Sequence, residues 1–350
     1  MSWMLYGANG YTGQLLANLA VQRGERPVLA GRDAAKIRPL AASLGLNYLV
    51  TDLENPTTLH AALAEHDVVA HCAGPFSATW RPMVDACLAT YTHYLDITGE
   101  IDVLEAIYRR SAEAEQAGVV LLPAAGFDVV PSDCLAGLLA TSVPDPQELD
   151  LAFTMGGGIS PGTLKSALEG LAQGGRARVD GKLRPVPLAH RQTVAEFPSG
   201  PKQVTAIPWG DLSSAFRSTG IPAITTYTVL PGGDLINRGE QFLAPLFKLP
   251  AVQRFGAQLV DQLVRGPSEQ RQSHGHAEFW GRARGADGTI ATAALSTPAP
   301  YQLTADSVLR AVARLTEGGI TPGAHTPATA FGPDFLTELH GVTIGEVRVR

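Results

Sequence analysis

Near its N-terminus the chain passes from the apolar run Trp3–Tyr6 through Gly7-Ala8-Asn9-Gly10-Tyr11-Thr12-Gly13 into a helix-period stretch that reaches Arg23. A strand that enters a helix through glycines spaced three apart leaves few folds open. The first glycine suits a turn with positive φ, the middle one lets a pyrophosphate approach the backbone, and the last lets helix and strand pack closely. The helix N-terminus adds N–H donors and partial positive charge for the phosphates. Gly7, Asn9, Gly10, Tyr11, Thr12 and Gly13 are therefore candidates for binding a nucleotide cofactor.

The same rhythm continues to about residue 125. Pro27–Ala30, Tyr48–Val50, Val68–Cys72, Tyr94–Ile97 and Val119–Leu122 read as strands buried on both faces, because they barely alternate. Between them lie helix-period segments at Gly13–Arg23, Ala34–Leu44, Thr57–Ala64, Pro82–Ala89 and Asp102–Ala117. Such βαβα alternation implies an α/β fold, a Rossmann-type doubly wound parallel sheet. A further helix follows Pro131, with Ser132 or Asp133 as its N-cap, and the turn Val143-Pro144-Asp145-Pro146 then sets a boundary. Residues 1–145 read as the nucleotide domain and 146–320 as an α+β substrate or dimerisation domain. The latter has strands at Leu149–Phe153, Ile224–Leu230 and Ile290–Leu295 and helices at Thr163–Leu171 and Ala305–Leu315.

Three strand ends extend the cofactor site. The second strand closes on Ala30-Gly31-Arg32, where a NAD enzyme would place a carboxylate for the ribose 2′-OH. A guanidinium there favours the 2′-phosphate of NADP, although Asp33 follows directly and a slip of one residue would bring its carboxylate to the ribose. Asp52 after the third strand and Gly74-Pro75 after the fourth complete the candidates, since ligands sit outside the carboxyl ends of such strands.

The formal net charge of −6 provides no long-range field for a polyphosphate polymer, so nucleic acid is not expected as a partner. Cys72, Cys87 and Cys134 are odd in number and lack paired short spacing, which suits a reducing cytoplasm and suggests neither disulfides nor zinc. No basic segment or cleavage site directing export opens the chain, and no run approaches the roughly 18 apolar residues of a membrane span.

Taken together, Gly7–Gly13, Ala30-Gly31-Arg32, Gly74-Pro75-Phe76, Tyr94–Glu100, Gly126–Asp133, Pro208–Asp211 and Ser218–Pro222 resemble the saccharopine dehydrogenase-like oxidoreductases. Within that family the chain is most similar to the branch of trans-acting enoyl reductases of bacterial lipid synthesis. The likeness is strong to about Ser132 and returns weakly at Thr326–Gly332. It implies a variant Rossmann domain with NADP, a second domain carrying a mixed sheet, and hydride transfer involving a small or lipid-borne substrate. It also implies that the C-terminal segment, about 320–350, packs back on the nucleotide domain. Saccharopine itself is not implied, because Lys165, Arg176, Arg178 and Arg217 show no spacing suited to several carboxylates.

The chemistry is harder to place. No Tyr-x-x-x-Lys pair occurs, which removes the short-chain dehydrogenase mechanism. Tyr94, Asp96 and Glu100, and then Asp128, Ser132 and Asp133, should approach the same crevice, with Tyr94 and Asp96 as catalytic candidates. The competing reading makes Tyr94 a buried aromatic with a satisfied hydroxyl, and Asp96 and Asp133 helix caps. Gly156-Gly157-Gly158 with Ser160–Thr163 suits either an anion seat or a tight turn, while His274 and His276 lack a third ligand, so no metal is expected. The apolar segment Gln241–Val264 suits a membrane surface, a cover for a lipid substrate, or a core or homodimer helix. Three functions remain open: reduction of an enoyl-type double bond on a lipid-linked substrate, non-catalytic sensing of NADP(H), and an amino-acid-linked dehydrogenase.

Overall fold

The computed structural model describes residues 2–155, 174–230 and 275–350. The chain divides into two compact units, Met1–Val130 with Tyr301–Ala330 and Pro131–Pro300 with Phe331–Arg350.

In the first unit, β1 (Trp3–Tyr6), α1 (Tyr11–Gln22), β2 (Val28–Gly31), α2 (Ala34–Leu44), β3 (Tyr48–Val50) and α3 (Pro56–Leu63) form the first half. Then come β4 (Val68–His71), α4 (Phe76–Thr90), β5 (His93–Asp96), α5 (Ile101–Tyr108), α6 (Ser111–Ala117) and β6 (Val120–Leu122). The seven-stranded parallel sheet runs β15-β6-β5-β4-β1-β2-β3, with β15 (Gly323–Ala324) supplied by the returning chain. Its strands are apolar without alternation because both faces are covered. Met4, Tyr6, Val69, Tyr94 and Leu121 join the core formed with Leu59, Met83, Leu104 and Ile107 from α3, α4 and α5. Leu5, Ala70, Leu95 and Leu122, one residue out of phase, are buried on the opposite face. The helix expected over Asp102–Ala117 is interrupted between α5 and α6, and α4 starts at Phe76 rather than Pro82.

The second unit holds α7 (Val130–Ala140, all but its first residue), β7 (Pro146–Met155), the hairpin β8 (Gly175–Val179) and β9 (Lys182–Val186), and the hairpin β10 (Gln192–Phe197) and β11 (Gly200–Ala206). α8 (Asp211–Thr219), β12 (Ala223–Thr228), β13 (His276–Gly285) and β14 (Ile290–Pro298) follow. Its ten-stranded mixed sheet has the path β10-β11-β12-β7-β13-β14-β16, the last being Thr343–Ile344, in which β12 and β7 are parallel and the other neighbours antiparallel.

Two expectations about domain limits are corrected. The first boundary falls at residue 130 rather than 145, because α7 packs under β13: a Cβ on Gly281 would stand 2.5 Å from Leu139 Cδ1 and 3.3 Å from Leu135 Cδ2. The returning segment is 301–330 rather than 320–350, and it comprises α9 (Pro300–Glu317) from its second residue on, β15 and the start of α10 (Pro327–Phe331). After α11 (Phe335–Glu338), β16 (Thr343–Ile344) and β17 (Arg348–Val349) pair with β14, which commits residues 331–350 to the second sheet. Ser132 and Asp133 are not N-caps, since α7 starts at Val130; Asp133 Oδ1 instead accepts from Ser218 Oγ of α8 at 2.6 Å. The readings at Gly156–Gly158, Ser160–Thr163, Thr163–Leu171, Lys165, Gln241–Val264 and His274 lie outside the described residues.

Candidate nucleotide-binding and active site

The order of the parallel sheet reverses between β1 and β4, so the chain leaves their carboxyl ends in opposite directions and opens a crevice there. Gly7 leaves β1 with φ +81°, and its N–H donates to Ala30 O at 2.9 Å. A Cβ on Gly7 would stand 2.7 Å from Ala73 N, and one on Gly13 would stand 2.4 Å from Gly7 O. Both positions therefore require glycine for packing. Gly10 differs: a Cβ there would meet only Gly7 O at 3.2 Å and Cys72 O at 4.0 Å, so its side remains open to a ligand. Gly10 is also the N-cap of α1, which has no side-chain cap and no acidic residue in its first turn. The leading N–H groups thus face an anion-compatible cradle.

The remaining turn residues brace this cradle. Gln14 Nε2 donates to Asn9 O at 2.9 Å, and a Cβ on Gly31 would stand 3.1 Å from Asn9 Oδ1, which explains the glycine before Arg32. Tyr11 packs edge-on against Tyr301 of α9 at 4.9 Å, and burial pushes its hydroxyl up to about 12. Thr12 is half-buried in the first turn of α1.

At the ribose end, Arg32 is exposed and makes no ion pair among the described residues. Asp33 is diverted from the ligand side because its carboxylate caps α2, accepting from Ala35 N at 2.9 Å. The carboxylate that competes with Arg32 for the ribose is thus engaged at a helix N-terminus. Asp52 is exposed at the end of β3, where Oδ1 accepts from Glu54 N at 3.1 Å. Its charge and that of Arg32 both reach the Tyr6 hydroxyl, which burial and then Asp52 push up to about 12 while Arg32 opposes them. Arg32 and Asp52 thus share one rim of the site.

After β4 the chain turns through a cis Gly74–Pro75 peptide, and Pro75 is the N-cap of α4. Thr79 Oγ1 donates to Ala73 O at 2.7 Å, and the Nε2 of His71 lies 3.1 Å from the same hydroxyl. With the threonine proton committed, Nε2 carries the imidazole proton and Nδ1 is left bare; Nδ1 has no partner among the described residues, and burial pushes the ring down to about 3. His71 is therefore a neutral brace behind the Gly74–Pro75 loop. Glu100 serves the same loop from β5: its two carboxylate oxygens accept from Phe76 N at 3.0 Å and Ser77 N at 2.7 Å.

Tyr94 and Asp96 are not at the surface of the crevice. Both are 0% exposed, and the Tyr94 hydroxyl donates to Asp96 Oδ2 at 2.5 Å. Asp96 Oδ1 accepts from Thr98 N at 2.9 Å and Ala124 N at 2.8 Å, which fastens the end of β5 to the loop after β6. The buried-aromatic reading of Tyr94 holds, whereas Asp96 ties two loops and caps no helix. Direct proton donation by Tyr94 is corrected on this ground, since burial and the Asp96 carboxyl raise its hydroxyl well above its ordinary range. Glu100 and Asp128 are the carboxyls that sequence reasoning left without roles. Their signal was the glycine between Thr98 and Glu100, because a Cβ on Gly99 would stand 2.7 Å from Asp128 Oδ2.

In the second unit Arg178 is buried, donating to Leu212 O at 2.5 Å and Gly181 O at 2.9 Å, with its guanidinium 4.1 Å from the centre of the Phe216 ring. It fastens α8 to the sheet. No group of three metal-ligating side chains occurs among the described residues, and none of their helices is long and apolar enough to cross a membrane.

Residues 3–122 match the family model of the saccharopine dehydrogenase NADP binding domain. Over that segment, about a third of its length, the chain is similar to saccharopine dehydrogenase NADP-binding domains. The matched domain is one that binds NADP, and the open Gly10 cradle, the uncapped α1 terminus and the exposed Arg32 fit its pyrophosphate and 2′-phosphate. A trans-acting enoyl reductase of Mycobacterium leprae is 38% identical over 138 residues, covering 37% of this chain and 33% of that protein. One of Mycobacterium tuberculosis is 33% identical over 141 residues, covering 37% and 33%. The matches span only a third of these relatives' own lengths. Among solved structures, the saccharopine dehydrogenase (L-Glu forming) of Saccharomyces cerevisiae has a TM-score of 0.66 at 14% identity, covering 100% of this chain and 99% of that one. The homospermidine synthase of Legionella pneumophila, solved in complex with NAD, has a TM-score of 0.64 at 10% identity, covering 98% and 91%. At such identities the likeness is one of fold.

Proposed function

We propose that the chain is an NADP-dependent oxidoreductase that reduces a polarised, enoyl-type double bond on a lipid-linked substrate. The observation that carries the cofactor half is the division of labour at the end of β2, where Asp33 is spent on α2 and Arg32 is left exposed beside Asp52. The names of the mycobacterial relatives support the enoyl half. The cofactor supplies a hydride. The chain's own part is to hold the phosphates on Gly7–Gly13 and Arg32, to back the Gly74–Pro75 loop with His71 and Thr79, and to supply a proton.

The test is a fluorescence titration of NADPH and NADH into the wild type and Arg32→Ala. A charge-assisted hydrogen bond of about 1.5–3 kcal/mol predicts a loss of NADPH affinity of roughly 10- to 150-fold, with NADH nearly unchanged. No binding of either nucleotide sinks the reading. The burial of Tyr94 favours a second reading, a sensor of NADP(H) without turnover. Steady-state NADPH consumption with an enoyl thioester separates the two, because a sensor consumes none.

A further inference from the structure

The reduction needs a proton as well as a hydride, and the group first expected to give it, Tyr94, is sealed in the core. Three carboxyls stand on the loops after β5 and β6, each in a different environment. Asp96 is closed in by Tyr94, Thr98 and Ala124. Glu100 faces two N–H groups at the start of the 15-residue helix α4, which favours its ionised form. Asp128 is half-buried, and its carboxyl occupies the space that a side chain on residue 99 would fill.

We propose, resting on the function above, that Asp128 is the proton donor of this site. Three hydrogen bonds hold the turn that carries it. Val130 N donates to Gly126 O at 2.9 Å, closing the turn that carries Asp128; Phe127 N donates to Thr304 Oγ1 at 3.0 Å, and Ser307 Oγ donates to Ala125 O at 2.7 Å. The turn is thus fastened to α9 within the same unit. Its placement is at the carboxyl edge: β4, β5 and β6 are parallel neighbours, so the Gly74–Pro75 loop, Glu100 and Asp128 leave the sheet on one side. Glu100 connects them, since the N–H groups it accepts from directly follow Pro75.

The environments of the two carboxyls act in opposite senses, as expected of an acid and its fixed neighbour. Burial first and the Glu100 charge second push the Asp128 carboxyl up to about 7, so about half of it keeps its proton at neutral pH. In the step, a hydride released as the nicotinamide C4–H bond of NADPH breaks would bond to the β-carbon of the enoyl group, while the Asp128 O–H bond breaks and its proton bonds to the α-carbon. The double bond becomes single, the substrate gains two electrons from NADPH, and the Asp128 carboxylate recovers a proton from water.

The experiment uses the full chain with its aspartate carboxyl carbons labelled with 13C, as wild type, Asp128→Asn and Glu100→Gln. In an NMR titration one resonance should titrate near pH 7, vanish in Asp128→Asn and move to lower pH in Glu100→Gln. With a trans-2-enoyl N-acetylcysteamine thioester as probe, Asp128→Asn should slow single-turnover reduction about 100-fold or more, while NADPH binding by fluorescence stays within about twofold. An Asp128 carboxyl that titrates in the ordinary carboxylate range overturns the proposal, as does wild-type turnover in Asp128→Asn. Failure of the wild type to bind NADPH instead defeats the cofactor reading on which the proposal rests.

Discussion

Single residues carry more of this site's logic than their chemical class announces. Tyr94 and Asp96 stand at the sheet edge where a catalytic pair would be sought, yet each is used up on the other and on the backbone of Thr98 and Ala124. Burial is the main cause that pushes the Asp96 carboxyl from 3.8 up to about 6. The folded protein therefore binds this proton more tightly than the unfolded chain. Below pH 3.8 both states are protonated and nothing is lost; as the pH rises toward 6 the unfolded state is favoured, and above 6 the full cost of about 3 kcal/mol applies. In Asp96→Asn the amide oxygen keeps the two backbone donors and the amide N–H₂ can donate to a reversed Tyr94 hydroxyl. Denaturant titrations from pH 3.5 to 7.5 should show wild type losing about 3 kcal/mol relative to this variant; a pH-independent difference would contradict the buried-carboxyl account.

At the scale of elements, the loops at the carboxyl edge are held by helix ends. α2 takes Asp33 as its cap and α4 takes Glu100, so two acids that sequence position places beside the cofactor instead complete helices. α1 alone among the three begins without a side-chain or acidic partner, and it is the helix that the glycine turn opens. The assignment of Asp33 is testable apart from cofactor binding. Asp33→Ala should cost about 1 kcal/mol of stability through loss of the cap, measured by denaturant unfolding, with the ratio of NADPH to NADH affinity unchanged. A shift of that ratio would return Asp33 to the ribose.

For the whole molecule, the decisive fact is how the last fifty residues are shared. α9 and β15 complete the nucleotide unit, where Asp306 of α9 pairs with Arg23 and Arg310. Residues 331–350 cover the edge of the other sheet, where Ile290 and Arg350 exchange backbone hydrogen bonds at 2.9 Å. Ending the chain after Ala330 should therefore speed amide hydrogen exchange at Ala291–Ser296 in β14 and leave NADPH affinity within about threefold, because a bared strand edge loses protection while the glycine turn keeps its supports. Unchanged exchange in β14 would refute the pairing.

The N-terminal half was legible because its information is local. Continuous apolar strands, helix-period segments and the spacing from Gly7 to Gly13 all lie within a few residues of what they specify, and β1 to β6 follow from them. That Arg32 follows the second strand and Gly74-Pro75 the fourth was legible for the same reason. What required the tertiary structure was pairing across distance: the docking of α7 beneath Gly281, the splitting of the C-terminus, and the partners of each carboxyl after β5 and β6. A carboxylate's role depends on whether it meets a phenol, a helix N-terminus or another carboxylate, and Asp96, Glu100 and Asp128 acquire those neighbours only when α4 and the loops after β5 and β6 are brought together.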